Sequence, residues 1–203
     1  PASFPIDWVT ESRWLHATGI TPALSHGCRT VLERLVERAH QAGVGISFDV
    51  NYRARLWDPD EAARTLEWFC RQATVLVCGE GDARLLWGLT GDAEAVAGAL
   101  AARFGAPVTV VTRGEHGAVA VTADGRTVLV PGRAATVVDR VGAGDAFTAG
   151  FLHGYLDSRD VERALRYGAA LATLKLTVRG DLAIVTTAEL ESALAATTRT
   201  IVR

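Results

Sequence analysis

Short apolar runs alternate along this chain with segments whose apolar residues recur every three or four positions. The apolar runs RWLHATGI, VGISFDV, TVLVC and PVTVVT predict strands. The periodic segments predict helices, for example SHGCRTVLERLVERAHQAG, with Val31, Leu32, Leu35, Val36 and Ala39 on one face. Strands and helices alternating at this spacing predict an α/β fold with three αβα layers around a mostly parallel sheet.

Local start and turn signals refine this prediction. DPDEAARTLEWFCRQA places Asp58 as an N-cap and Pro59 in the first turn, which is typical of a helix start. Asp124-Gly125 lies between two β-rich runs and predicts a hairpin. DAFTAGFLHGYL, DVERALRYGAALATLKLT and TAELESALAA predict later helices, and Gly150 and Gly154 in the first are expected to let another element approach closely. Since no repeat or linker interrupts the pattern, we expect one domain over residues 1–203.

Composition narrows the class of protein. The 203 residues are 49% hydrophobic and 22% charged, with a net charge of −2, which predicts a globular protein without nucleic-acid partners. No apolar run approaches the ~18 residues of a membrane span, so no membrane partner is expected. The basic residues are nearly all arginine, with Lys175 the one lysine. Cys28, Cys70 and Cys78 lack the spacing of a disulfide framework or zinc site, which favours a reducing cytoplasm.

Three polar clusters follow predicted strands, where ligands bind in open parallel sheets. They are Asp49-Asn51-Arg53, Thr112-Gly114-Gly117, and Gly142 to Asp145. The last, VGAGD before a helix, fits either a tight turn with a cap or an anion site made of backbone N–H groups. It is neither a dinucleotide fingerprint, because the third glycine would fall on Phe147, nor a Walker A loop. A carboxylate at Asp145 could take a hydroxyl proton during phosphoryl transfer, which favours the phosphate interpretation.

The stretch DRVGAGDAFTAGFLHGYL resembles the C-terminal signature of the ribokinase-like (PfkB) carbohydrate kinases, Asp-Thr-x-Gly-Ala-Gly-Asp-x-Phe, with Arg140 in the threonine position. The likeness extends over essentially the whole chain. GISFDVNYRARLW, RWLHATGITPAL and the late Arg-Gly-Asp (179–181) are most similar to 2-keto-3-deoxygluconate kinases.

This resemblance implies an ATP-dependent kinase that phosphorylates a hydroxyl of 2-keto-3-deoxygluconate or a related sugar acid. It implies Asp145 as catalytic base, an anion hole at Gly142, Ala143 and Gly144, and nucleotide binding by Thr112, Gly114, Gly117 and Gly168. It implies substrate binding by Asp49, Asn51 and Arg53, and metal binding by Asp139 and Asp82. The implied cofactors are ATP, Mg²⁺ and a monovalent cation, K⁺, near Asp139.

The chain departs from the family pattern at three places. The usual Asn-x-x-Glu is replaced by Gly79 and Asp82, with Glu80 as an alternative acid, and Gly168 stands where asparagine is common near adenine. The family's N-terminal section, including a β-sheet lid, is absent, so we expect a nearly inactive piece of a longer, homo-oligomeric kinase. Two alternatives stay open: a kinase of fructose, ribose or a nucleoside, and a non-catalytic nucleotide-binding regulator.

Overall fold

The computed structural model describes residues 6–198 of the protein. The strands are β1 Trp14–Thr18, β2 Gly45–Asp49, β3 Val75–Gly79, β4 Val108–Thr112, β5 Ala118–Thr122 and β6 Thr127–Val130. The α-helices are α1 Ile20–Leu24, α2 His26–Gln41, α3 Pro59–Gln72, α4 Glu80–Trp87, α5 Ala93–Phe104, α6 Ala143–Ser158, α7 Val161–Leu176 and α8 Thr187–Thr198. Short 3₁₀ helices cover Ile6–Glu11 and Gly114–His116.

The six strands form one sheet in the order β1-β2-β3-β4-β5-β6. The pairs β1–β2 and β2–β3 are parallel, with Trp14 opposite Gly45 and Ser47 opposite Val75. The predicted three-layer α/β fold and its mostly parallel sheet are therefore confirmed. None of the helices in residues 6–198 combines the length and apolarity that crossing a bilayer requires.

The contacts group the chain into two compact units. The first unit extends up to Val111 and includes Val121–Thr127, and the second comprises Thr112–Ala120 and the chain from Val128 onward. In the first unit, Phe48 of β2 stacks on Phe69 of α3 with ring centroids 5.4 Å apart. Helix α3 begins where predicted, because Asp58 accepts the N–H groups of residues 60 and 61.

The core of the second unit lies between α6 and α7. A Cβ added at Gly150 would lie 2.6 Å from the Tyr167 carbonyl oxygen, and one at Gly154 would lie 3.0 Å from the Ala164 Cα. Both glycines therefore let the two helices approach backbone to backbone, as their position within α6 predicted. The buried residues of α6 also include Phe147, Phe151 and Tyr155.

Candidate functional site

The turn that leads into α6 has a conformation that requires glycine. Gly142 is the N-cap with φ +80°, and a Cβ there would lie 2.0 Å from the carbonyl oxygen of Asp181. The first hydrogen bond of the helix runs from the Ala146 N–H to the Gly142 carbonyl. The amides before Ala146 therefore have no acceptor within the helix and form its positive end.

The predicted anion hole is partly engaged in the turn itself. The Ala143 N–H donates to the Arg140 carbonyl oxygen at 3.3 Å, a long hydrogen bond. Gly144 follows at an open position, where an added Cβ would meet no atom within 4 Å. Asp145, the predicted base, is exposed in the first turn of α6, one residue further on.

Asp139 fixes the other end of this turn. Its Oδ1 accepts the Val141 N–H at 3.0 Å and its Oδ2 accepts the Gly180 N–H at 3.0 Å. These two hydrogen bonds, the one from Val141 first, lower the pKa of the Asp139 carboxyl. The carboxylate thereby connects the turn before α6 to the segment after α7.

A pocket of about 720 Å³ lies within the second unit and joins two of the predicted clusters. Its wall includes the loop after β4, with Thr112, Gly114 and Gly117, and the start of α6, with Ala143 and Gly144. Apolar residues of α6 and α7 form another part of the wall, namely Phe147, Ala169, Ala172 and Leu176. The pocket thus places backbone amides and an apolar surface around one space.

The loop after β4 is built for close backbone approach. Gly117 has φ +90°, and a Cβ there would lie 2.0 Å from the Val130 carbonyl oxygen. A Cβ on Gly132 would lie 1.8 Å from the Glu115 carbonyl oxygen, so the two chain segments cross in contact. Gly114 has φ +56° and open space around it. Side chains at Gly117 or Gly132 would push the two chain segments apart. These two glycines therefore allow the close contact that keeps the loop in place.

The pocket also contains residues that sequence reasoning missed. Arg133 and Arg140 both line the pocket, and an Arg133 Nη donates to the Ala193 carbonyl oxygen at 2.6 Å. Arg133 belongs to no motif, whereas Arg140, at the threonine position of the signature, was visible as a departure. Gly168, predicted to bind nucleotide, is absent from the pocket wall. It is buried against α6, where an added Cβ would lie 2.9 Å from the Phe147 carbonyl oxygen.

The remaining predicted residues lie together in the first unit. Asp49 ends β2 and is buried, and Asn51 follows with φ +40°, a left-handed conformation that asparagine adopts more readily than most residues. The Tyr52 N–H donates to Asp82 Oδ2 at 3.1 Å. An Arg53 Nη donates to the Tyr52 carbonyl oxygen at 3.1 Å. The structure therefore brings Asp82 to the cluster after β2, although about 30 residues of chain separate them.

Comparison with known proteins identifies the family. The sequence pattern of the pfkB family carbohydrate kinases matches residues 2–188. The chain belongs to this family. It is 43% identical over 195 residues to a 2-dehydro-3-deoxygalactonokinase from Haloferax volcanii, an alignment that covers 96% of this chain and 61% of that protein.

Solved structures of pfkB-like kinases share the fold. A 2-dehydro-3-deoxygluconokinase from Thermotoga maritima superposes with a TM-score of 0.85 at 26% identity, covering 95% of this chain and 63% of that one. A fructokinase double mutant from Vibrio cholerae, solved with fructose, ADP and a potassium ion, superposes with a TM-score of 0.80 at 28% identity. That match covers 89% of this chain and 60% of the fructokinase. The chain thus spans about three fifths of the length of these relatives.

For this pfkB family chain, the family resemblance implies a magnesium ligand at Asp82, with Glu80 as the alternative acid. Glu80 is paired with Arg84 at 2.6 Å, and residues 6–198 hold no cluster of three or more metal-binding side chains. Mg²⁺ is commonly held by one or two carboxylates together with water and substrate phosphates, so a single acid suffices. Burial raises the pKa of the Asp82 carboxyl, while the Tyr52 N–H and Arg53 act in the opposite direction.

The hydrogen bonds that Asp139 makes do not fit the monovalent cation that the family resemblance implies there. The Lys175 ammonium donates to the Asp139 carbonyl oxygen at 3.0 Å. Both carboxylate oxygens of Asp139 accept main-chain N–H groups. A resident cation beside Asp139 would compete with a positive charge that the chain itself supplies.

We expect Asp82→Asn to raise the melting temperature near pH 7, because asparagine can still accept the Tyr52 N–H and carries no charge to desolvate. The pKa of Asp82 is raised in the folded state, so its carboxylate destabilises the fold when the pH is above that pKa. This destabilisation disappears once the pH falls below the pKa that Asp82 has in the unfolded chain. Thermal melts from pH 7.5 to pH 4 should show the two proteins converging at the acid end. A constant difference across this range would contradict the assignment to burial.

Proposed function

We propose that the full-length protein transfers the γ-phosphoryl group of ATP to a hydroxyl of a 2-keto-3-deoxy sugar acid, either 2-keto-3-deoxygluconate or its C4 epimer. The observation that carries this proposal is the pocket in the second unit, whose wall contains the glycine loop after β4 and the N-terminal amides of α6. The 43% identity to a 2-dehydro-3-deoxygalactonokinase supports the substrate class.

The pocket suits a nucleotide. Its volume of about 720 Å³ lies within the range of small-molecule sites. The apolar wall from α6 and α7 offers a surface for a base, and Arg133 and Arg140 bring positive charge for phosphates. The Vibrio cholerae fructokinase, of the same fold, was solved with ADP, which supports nucleotide binding by the family.

The start of α6 is suited to the transfer step. The hydroxyl oxygen of the sugar attacks the γ-phosphorus, the bond from that phosphorus to the β,γ-bridging oxygen breaks, and ADP leaves with the bond's electron pair. Asp145 takes the hydroxyl proton, and the amides of Gly142 and Gly144 stabilise the charge on the phosphoryl oxygens. When bound, Mg²⁺ neutralises phosphate charge, and Asp82 is the carboxylate that would hold it.

The cluster after β2 is proposed to bind the sugar acid. Asp49 and Asn51 offer acceptors and donors for hydroxyl groups, and Arg53 carries a guanidinium that pairs well with a carboxylate. Because Asp82 holds the Tyr52 amide, the same acid also fixes the loop that carries Asn51 and Arg53. This arrangement favours a sugar with an acid group over a neutral sugar.

The experiment is an ATP-turnover assay of the full-length protein with both 2-keto-3-deoxy sugar acids, fructose, ribose and a nucleoside. We expect turnover with at least one keto sugar acid, with kcat/KM about 100-fold above that for the neutral sugars, since a lost charge-assisted hydrogen bond costs up to ~3 kcal/mol. Arg53→Met should remove most of this preference by raising KM. Turnover with a neutral sugar alone would contradict the substrate class. Tight ADP binding without any turnover would contradict the kinase function and favour a nucleotide-binding regulator.

A further inference from the structure

The one lysine of the chain is wholly buried. Lys175 lies in the last turn of α7 with 0% of its surface exposed. Its Nζ donates to the carbonyl oxygens of Asp139 at 3.0 Å and of Val178 at 3.4 Å. Both acceptors are main-chain carbonyls. An ammonium is costly to remove from water, so a buried one held by two carbonyl oxygens needs an explanation beyond packing.

Carbonyl oxygens that converge on one point bind either an ammonium group or a dehydrated K⁺ ion, because both are compact monovalent cations. In this chain the cation is covalently attached to α7. The two carbonyls belong to the turn before α6 and to the segment after α7. The ammonium therefore joins those two segments at the point where a free cation could otherwise join them.

The same two segments are also joined by hydrogen bonds. The Val138 N–H donates to the Leu176 carbonyl oxygen at 2.7 Å, and the Gly180 N–H donates to the Asp139 carboxylate at 3.0 Å. Gly142 lies against the Asp181 carbonyl oxygen, where a Cβ would be 2.0 Å away. The position of Gly142, and with it the start of α6, thus depends on the segment that Lys175 holds.

We propose that Lys175 is a built-in cation that positions the turn from Asp139 to Gly142, so that the full-length enzyme works without K⁺. Lys175 is a positioning residue, because it acts through the turn and not on substrate. The activity readout of this proposal depends on the kinase function proposed above, whereas its stability readout does not.

The first test uses the unaltered full-length protein. Sugar-dependent ATP turnover is measured in KCl and in tetramethylammonium chloride at equal ionic strength, with Mg²⁺ constant. We expect kcat values within twofold of each other. Activation of tenfold or more by K⁺ would overturn the proposal.

The second test uses two variants of Lys175. Lys175→Ala removes the ammonium and leaves room between the carbonyls, so we expect kcat to fall about 100-fold in tetramethylammonium, as for other displaced catalytic geometries. Replacing tetramethylammonium by KCl or NH₄Cl should then raise kcat of Lys175→Ala at least tenfold. Lys175→Met fills the space without charge, so neither salt should restore it. Loss of kcat without salt rescue in both variants would indicate a packing role and overturn the proposal.

Arg166→Met is the matched control, since it removes an exposed positive charge from the same helix. It should behave as the unaltered protein in both salts. If no sugar is phosphorylated by the unaltered protein, the proposed function fails, and melting temperatures decide the role of Lys175 alone. If K⁺ raises the melting temperature of Lys175→Ala but not that of Lys175→Met or the unaltered protein, the result supports the built-in cation. If K⁺ raises the melting temperature of the unaltered protein, or leaves that of Lys175→Ala unchanged, the proposal is overturned.

Discussion

Asp145→Asn is expected to lower kcat of the full-length protein by about 10³-fold, within the range that general-base catalysis contributes. Asparagine keeps the size of the side chain but cannot take the hydroxyl proton. Asp145 is exposed in the first turn of α6, so the change should leave folding intact. The measurement is ATP turnover at saturating sugar acid, together with ADP affinity, which should change less than about threefold, or ~0.7 kcal/mol.

Asp157→Asn is the control for this prediction. Asp157 lies near the other end of α6, exposed, and pairs with Arg163 at 3.3 Å. The same charge change there should leave kcat unaltered, because exposed ion pairs contribute at most ~1 kcal/mol. If Asp145→Asn retained more than a tenth of the activity, Asp145 would not be the base, and the sequence GAGD would serve only to bind nucleotide.

Gly142→Ala is expected to destabilise the protein by at least ~2 kcal/mol and to abolish turnover. The methyl group would lie 2.0 Å from the Asp181 carbonyl oxygen, and φ +80° is unfavourable for alanine. Relief requires the turn to move, which displaces the amides that precede Ala146. Thermal melts should show a fall of several degrees, and ADP affinity should fall with it.

Gly144→Ala is the control for stability. Gly144 lies in the same helix start, where an added Cβ meets no atom within 4 Å. Alanine is favoured over glycine in helices by ~0.5–1 kcal/mol, so the melting temperature should stay the same or rise. A melting temperature of Gly142→Ala equal to that of the unaltered protein would mean that the turn adapts, and that its geometry is not what the site requires.

The elements were predictable because their signals are local. The cap at Asp58, the hairpin at Asp124-Gly125 and the apolar strands each depend on residues a few positions apart. The fold class, the alternation of strands and helices and the family signature follow from the same short-range patterns. The roles of Gly142 to Asp145 stay predictions, but their place at a helix start was readable from two glycines before an apolar segment.

The sequence by itself thus determined most of the elements, the fold class and two of the three clusters after strands. The expectation that the third cluster follows a strand was wrong, because residues 131–141 before Gly142 contain no strand. Only the tertiary structure decided that Asp82 holds the Tyr52 amide, and that Lys175 is buried on the Asp139 carbonyl. It also placed Gly168 between helices and brought Arg133 to the pocket. The physical reason is sequence separation: these contacts join residues 30 or more positions apart, or depend on helix packing, and local propensity carries no information about such partners.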